Sequence, residues 1–290
     1  MNIMNQKPNT QYPTPIIDTH SHLNFNAFKK DSDEVIKKTL SENIWMINVG
    51  TKYETSQKAV EIAEKYPKGV YAAIGLHPIY AAAEFMKTRT DPDEGEFLII
   101  EQDFDKEKYR ELAQSKKVVA VGEIGLDYYK PKTTAKLAQF KEKQKQVFLQ
   151  QLDLARKLNL PVILHCRMAH DDVIEILKSQ NEITGVIHCF TGTLEQAQKY
   201  TEMGFYIGLN GIIFKFNINE TIKKIPLDKI LVETDCPYLT PPQESGKRNE
   251  PLFIKHTIQK ISELKEISFQ EVADETTENA RKIFTIDNTI

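Results

Sequence analysis

Two histidines one residue apart, His20 and His22, follow the apolar pair Ile16-Ile17 near the start of the chain. Alternate side chains of an extended strand share a face, so this His-x-His pair can grip one ion, neutral imidazole being the commonest side-chain metal ligand. Asp18 has the same parity and is expected behind the histidines as a hydrogen-bond acceptor. An isolated His-x-His is usually two incidental surface residues, so the weight falls on the rest of the chain. Five of the seven histidines end short apolar runs: His20, His22, His77 in Gly75-Leu76-His77-Pro78, His165 in Leu164-His165-Cys166-Arg167, and His188 in Ile187-His188-Cys189-Phe190. Carboxylates do the same, Glu123 and Asp127 in Gly122-Glu123-Ile124-Gly125-Leu126-Asp127, and Glu233 and Asp235 in Val232-Glu233-Thr234-Asp235. Imidazoles and carboxylates gathered in this way are a donor set for metal-assisted hydrolysis.

Such residues can meet only if the strands that carry them converge. The spacing predicts eight strands, at Pro15–His20, Ile44–Val49, Val70–Leu76, Val118–Ile124, Pro161–His165, Gly185–Cys189, Phe205–Leu209 and Ile230–Glu233. Amphipathic stretches separate them, at Ser32–Glu42, Glu54–Tyr66, Ala135–Leu158, Asp171–Gln180 and Leu194–Met203, with Pro251–Leu264 and Phe269–Phe284 closing the chain. Near-continuous apolar runs suit parallel strands buried on both faces. Eight of them with intervening helices indicate an α/β chain folded as a single-domain (β/α)8 TIM barrel over residues 15–286, whose strand ends meet on one face. No Gly-rich dinucleotide fingerprint follows any strand, which weakens an open doubly wound sheet. Residues 1–14 read as a disordered polar tail, and residues 84–117 as a polar surface insertion in a βα connection.

Strand order then assigns roles. Two metals about 3.5–4 Å apart need a bridging carboxylate with ligands on either side. Glu123, midway round the barrel, is the expected bridge. His20, His22 and Asp235, from strands one and eight, should hold the first ion, and His165 and His188 the second. Asp235 is also placed to orient a water and accept its proton, so Asp235 and Glu123 are the expected catalytic pair. His77 and the planar fork of Arg167 are candidates for a phosphate, while Arg248 and Asn249, in the loop after strand eight, could touch substrate. Glu233 and Asp127 read as supporting carboxylates, and His170 and His256 as structural or exposed. Cys166, Cys189 and Cys236 each follow a proposed ligand, and the two-residue period turns them outward into packing. The lysines of 136–157 mark the solvated side of an amphipathic helix.

The 290-residue chain is 40% hydrophobic and 27% charged with a net charge of -3, which argues against a protein that coats nucleic acid electrostatically. Phosphates, if bound, should enter a local pocket where metal ions supply positive charge. Three cysteines without CxxC spacing suit a reducing compartment. Without a secretory h-region or a span-length apolar run, the expectation is a cytoplasmic protein (or a nuclear one in a eukaryote), with no membrane and no obligate protein partner.

Taken together, Asp18-Thr19-His20-Ser21-His22, Gly75-Leu76-His77-Pro78, Gly122-Glu123-Ile124-Gly125-Leu126-Asp127-Tyr128-Tyr129, His165-Cys166-Arg167, His188-Cys189-Phe190-Thr191-Gly192, Glu233-Thr234-Asp235-Cys236-Pro237 and Arg248-Asn249-Glu250-Pro251 closely resemble the TatD family of metal-dependent deoxyribonucleases. The likeness runs in order from about residue 15 to Asn279-Ala280-Arg281. It implies an amidohydrolase-like metal barrel, DNA as substrate, single-stranded or at 3′ ends, and often 3′→5′ exonuclease action. It also implies that His20, His22, Glu123, His165, His188 and Asp235 are the ligands. Some TatD-like proteins resemble D-aminoacyl-tRNA deacylases, so an ester or amide hydrolase is the alternative. Two divalent ions are expected, with Mg2+ in use and Mn2+ or Zn2+ compatible with the same donors.

Overall fold

The computed structural model of the chain describes residues 14–85, 91–95, 100–129, 136–180 and 182–286. Most of the expected N-terminal tail (1–13) and parts of the 84–117 segment (86–90 and 96–99) lie outside the described residues. Eight parallel strands form one sheet in sequence order: β1 Ile16–Ser21, β2 Ile44–Val49, β3 Val70–Ile74, β4 Val118–Asp127, β5 Val162–Arg167, β6 Gly185–Ile187, β7 Tyr206–Leu209 and β8 Ile230–Val232. They occupy the eight predicted stretches. The ring closes where β8 returns to β1: Thr19 Oγ1 donates to the Val232 carbonyl at 3.1 Å, and a parallel bridge pairs Ser21 with Cys236. Two backbone bonds frame that bridge, Asp235 N–H to the His20 carbonyl at 2.8 Å and His22 N–H to the Cys236 carbonyl at 2.9 Å. The chain is a (β/α)8 barrel.

Every residue of β1 to β4 is buried, and strand residues sort into two apolar clusters. One, including Ile16, Ile44, Val70 and Val162, packs under the helices; the other draws Ile17, Ile47, Ala73, Val119, Ile163, Val186, Tyr206 and Leu231 from all eight strands into the barrel interior. Ala280, Phe284 and Ile286 join the interior cluster at one end. The expected helices appear as α1 Ser32–Ser41, α2 Tyr53–Glu64, α5 Leu137–Leu158, α6 His170–Lys178, α7 Leu194–Glu202, α9 Ile254–Lys265 and α10 Phe269–Phe284. Local chemistry fixes their ends: Thr193 caps α7 in a reciprocal box with Gln196, and Asn159 ends α5 in the left-handed region at φ 52.

Three short helices were not anticipated, α3 Pro78–Ala81, α4 Lys106–Leu112 and α8 Asn219–Lys224. Helix α4 lies inside the segment read as a polar insertion; Asp105 caps it, and its Tyr109 is buried with the hydroxyl 3.3 Å from the Gly75 carbonyl. No helix among the described residues is long and apolar enough to cross a membrane.

Candidate metal centre

The residues singled out by spacing meet in one cavity of about 520 Å³ at the strand ends, lined by His22, His77, Glu123, His165, His188 and Asp235 among others. His20 stands just beneath, fully buried, its ring stacked 3.9 Å from that of His188. Glu123 is the hub. Its Oε2 faces strand one, 3.5 Å from His20 Nε2 and 4.0 Å from His22 Nε2. Its Oε1 faces the other side, 2.7 Å from His165 Nδ1, 3.1 Å from His188 Nε2 and 3.3 Å from His77 Nε2. Asp235, held in the left-handed region at φ 56, brings Oδ1 to 3.4 Å from His22 Nε2 and 3.7 Å from His20 Nε2.

Where the far nitrogen of a ring is hydrogen-bonded, that bond shows which lone pair is free in the neutral ring; His22 and His77 are so fixed, and the Nδ1 atoms of His20 and His188 have no such partner. His22 Nδ1 lies 2.9 Å from the Val49 carbonyl, so it carries the proton and Nε2 is a bare lone pair. His188 Nδ1 lies 3.3 Å from Glu233 Oε1 without hydrogen-bond geometry; a proton on that nitrogen would leave Nε2 in the same state. Both Nε2 atoms face carboxylate oxygens, where either a proton or a metal cation balances the charge; burial alone would lower both imidazoles, but the carboxylates around them raise both. A divalent metal fits this donor set, and three clusters have ligand atoms within 4.8 Å of one another: His20, His22 and Glu123; His20, His188 and Asp235; His77, Glu123 and His165. His77 differs chemically from the other rings. Its Nδ1 accepts from Ile79 N–H at 3.1 Å, so a neutral ring carries its proton on Nε2, facing Glu123 as a donor.

Charge follows the same geometry. Burial alone would raise the Glu123 pKa, but His77, His188 and His165 around it hold the carboxyl well below its ordinary range. Burial works likewise against Asp235, and the bond to His22 with the charge of His188 and His20 outweighs it, keeping the group low. His165 has both nitrogens against carboxylates, Asp127 Oδ2 at 3.3 Å as well as Glu123; these overcome the burial penalty and push it up to about 9. His20 and His77 are held below the usual imidazole value, chiefly by burial.

Supporting residues fall behind these rings. Glu233 is fully buried, accepting from Cys189 N–H at 2.7 Å and Asn210 Nδ2 at 2.8 Å while it backs His188. Asp127 accepts from Tyr129 N–H at 2.8 Å and backs His165. The Asp18 carboxylate backs no imidazole: it takes the backbone N–H of His20 and both donors of Thr234. The strand register shifts between Asp18 and Ser21, so the alternation that put all three residues on one face is broken there. Burial pushes Asp18 up to about 8.

Arg167 reaches the pocket wall, its guanidinium 3.6 Å over the Tyr129 ring. Arg248 and Asn249 do not line the cavity. Arg248 forms a two-pronged pair with Asp31 at 2.6 and 3.0 Å and lies 4.0 Å over the Phe28 ring. Buried Asn249 donates to the Thr234 and Tyr238 carbonyls, shaping the loop after β8. Both side chains are engaged by protein partners that tie the loop after β8 to its surroundings. Cys166 and Cys236 are buried as expected, although Cys166 also contributes to the cavity lining, whereas Cys189 is only half-buried and lines the cavity, because β6 has ended and its φ of 47 breaks the two-residue period. His170 is buried against Tyr200 and Cys166, and His256 pairs with Glu244.

Spacing missed two acidic residues of the cavity lining. Asp91 and Glu94, from the 84–117 segment, line the cavity; Tyr238 donates to Asp91 at 2.9 Å, and Thr51 donates to Glu94. The backbone N–H groups of Asn26 and Ala27 bind the Glu94 and Asp93 carbonyls, fastening this stretch to the loop after β1. The stretch is polar throughout and has no period, so only the density of acids before Gly95 marks it.

Residues 17–285 match the family model described as TatD related DNase. A Bacillus subtilis protein described as the uncharacterized metal-dependent hydrolase YabD is 40% identical over 277 residues, 93% of this chain and 99% of its own length. An Erwinia tasmaniensis protein named 3′-5′ ssDNA/RNA exonuclease TatD is 33% identical over 282 residues, 93% of this chain and all of that one. Among solved structures, the TatD homologue YJJV of Escherichia coli K12 superposes with a TM-score of 0.77 at 29% identity, covering 94% of this chain and 98% of its own. A match across nearly the whole chain, joined to a hydrolase's donor set at the strand ends of a (β/α)8 barrel, makes this chain a member of the TatD family of metal-dependent hydrolases.

Proposed function

We propose that the chain is a 3′→5′ exonuclease that hydrolyses phosphodiester bonds of single-stranded DNA, using two divalent cations with Mg2+ as the working ion. The observation that carries the reading is the division of Glu123, one oxygen toward His20 and His22 and the other toward His165 and His188. A carboxylate so divided is the bridge that a two-ion site requires. His20, His22 and Asp235 would hold one ion and His165 and His188 the other, with Glu123 shared. Cations held there would supply charge stabilisation for the phosphoryl oxygens and activation of the attacking water.

The chain's own residues do the rest. Asp235 orients the water and accepts its proton on a carboxylate oxygen. Arg167 clamps a non-bridging phosphate oxygen through its planar fork, and the Nε2 proton of His77 supplies a further donor beside Glu123. The exonuclease polarity and the single-stranded substrate draw support from the relative named for both.

The test is metal-stripped protein assayed on 3′-labelled and 5′-labelled single-stranded DNA, with Mg2+, Mn2+ or Zn2+ restored one at a time. Activity should vanish in EDTA, return with Mg2+, and release the 3′ label first as mononucleotide. Undiminished cleavage in EDTA, or loss of label from the 5′ end first, overturns the reading. An aminoacyl-tRNA arm belongs in the same assay, because the carboxylates of Asp91 and Glu94 lie where an α-ammonium group would be stabilised.

A further inference from the structure

Four large apolar side chains stand exposed among the described residues, Ile100, Leu149, Met168 and Phe216. Two of them line the mouth of the metal pocket, Met168 at 70% exposure and Phe216 at 53%. Met168 directly follows the end of β5, and Phe216 follows the short 3-10 turn Gly211–Phe214 after β7. Phe216 is presented by a fixed backbone, since its N–H donates to the Ile212 carbonyl at 2.9 Å. Beside Met168 in sequence, the Arg167 guanidinium lies 3.6 Å over the Tyr129 ring. The pocket lining therefore combines a phenyl ring, a thioether and a cation, carried beyond β5 and β7, with the carboxylates of Asp91 and Glu94, which are bonded to Tyr238 after β8 and Thr51 after β2.

Exposed apolar surface clustered at a functional pocket marks a binding face. A phosphodiester chain is repelled by these carboxylates and attracted to the guanidinium, so it must run past Arg167. The group attached to that chain that can cover a phenyl ring and a polarizable thioether is a flat heterocycle. A base inside a duplex already has both faces stacked and cannot lie on such a surface.

We propose that Met168 and Phe216 form a stacking platform for one unpaired nucleobase next to the reacting phosphodiester, with the strand entering past Arg167 and away from Asp91 and Glu94. The proposal rests on the nuclease reading above and assigns single-strand selection to these two side chains.

The test uses the full chain with Mg2+ and two single-stranded oligonucleotides, identical except that one has abasic sites at its last two 3′ positions. The wild type should prefer the base-bearing end by about tenfold in kcat/KM, the range expected for one stacked base. In the Met168→Ser/Phe216→Ser double variant that preference should fall to about twofold or less, and Phe216→Trp should keep it. Leu149→Ser, an exposed apolar residue far along α5, controls for a general loss of surface hydrophobicity. A second readout needs no turnover: an oligonucleotide with terminal 2-aminopurine and non-hydrolysable linkages should lose fluorescence on binding wild type but not the double variant. Cleavage with no base preference, or with a preference that the double variant retains, overturns the platform while the nuclease reading stands. Quenching that depends on the platform in a protein that cleaves no DNA overturns the nuclease reading and keeps the platform. Absence of both effects overturns both.

Discussion

A histidine can give a metal only the lone pair of the nitrogen that lacks a proton, so the partner of the other nitrogen decides whether it is a ligand. By that criterion His22, whose Nδ1–H is directed at the Val49 carbonyl, is prepared to ligate, and His188 is so prepared only when its Nδ1, 3.3 Å from Glu233, carries the proton. His77, whose Nδ1 already accepts from Ile79, is prepared to donate. The sequence pattern cannot separate the three, since each simply ends an apolar run. The distinction predicts two different failures. Glu233→Gln keeps the shape but removes the carboxylate behind His188, and should weaken Mn2+ binding by about 10–100-fold. His77→Gln should instead leave the Mn2+ stoichiometry intact and lower kcat/KM, because it removes a donor and no ligand. Calorimetric metal titration beside steady-state kinetics checks both, and a lost equivalent of metal in His77→Gln would make that ring a ligand.

At the scale of elements, the strands were legible because parallel strands covered on both faces must be apolar almost throughout, and the donors were legible because they interrupt that pattern at its ends. What escaped was set by contacts distant in sequence. Helix α4 carries too few apolar residues in too short a run to stand out, yet Tyr109 anchors it in the core. The strand parity of Asp18 fails at a register shift that no periodicity reports. Arg248 has the charge of a phosphate ligand, but the loop after β8 turns it back onto Asp31 and Phe28, across the end of the β1–α1 connection. The pair and the ring contact join two barrel loops. Arg248→Met should cost about 1–2 kcal/mol, the pair being partly exposed and so partly screened. That is a fall of a few degrees in Tm with KM for substrate unchanged. A raised KM at unaltered Tm would return the residue to the substrate.

For the whole molecule, the weak point of the ring and the candidate metal centre coincide. Strand β8 has only three residues, and it joins β1 through the Thr19–Val232 bond, the Ser21–Cys236 bridge and its two flanking backbone bonds, and the buried contact of Thr234 with Asp18. His20 and His22 stand on one side of this seam and Asp235 on the other, while Glu123 reaches them from β4 across the barrel. Ions held by that set would tie together elements that the sheet itself joins sparsely, so metal binding and barrel closure should be linked. Free metal a hundredfold above its Kd then adds about 2.7 kcal/mol to the folded state, read as a Tm several degrees above that in EDTA. Glu123→Gln should lose most of that increment because the shared ligand is gone. Thr234→Val, which removes the hydroxyl donor to Asp18 without touching a proposed ligand, should lower the metal-free Tm and weaken metal binding together. Scanning calorimetry of the three proteins with and without saturating Mn2+ checks the linkage. An equal Tm in EDTA and in metal, or a Thr234→Val protein destabilised with undiminished metal affinity, would separate the seam from the site.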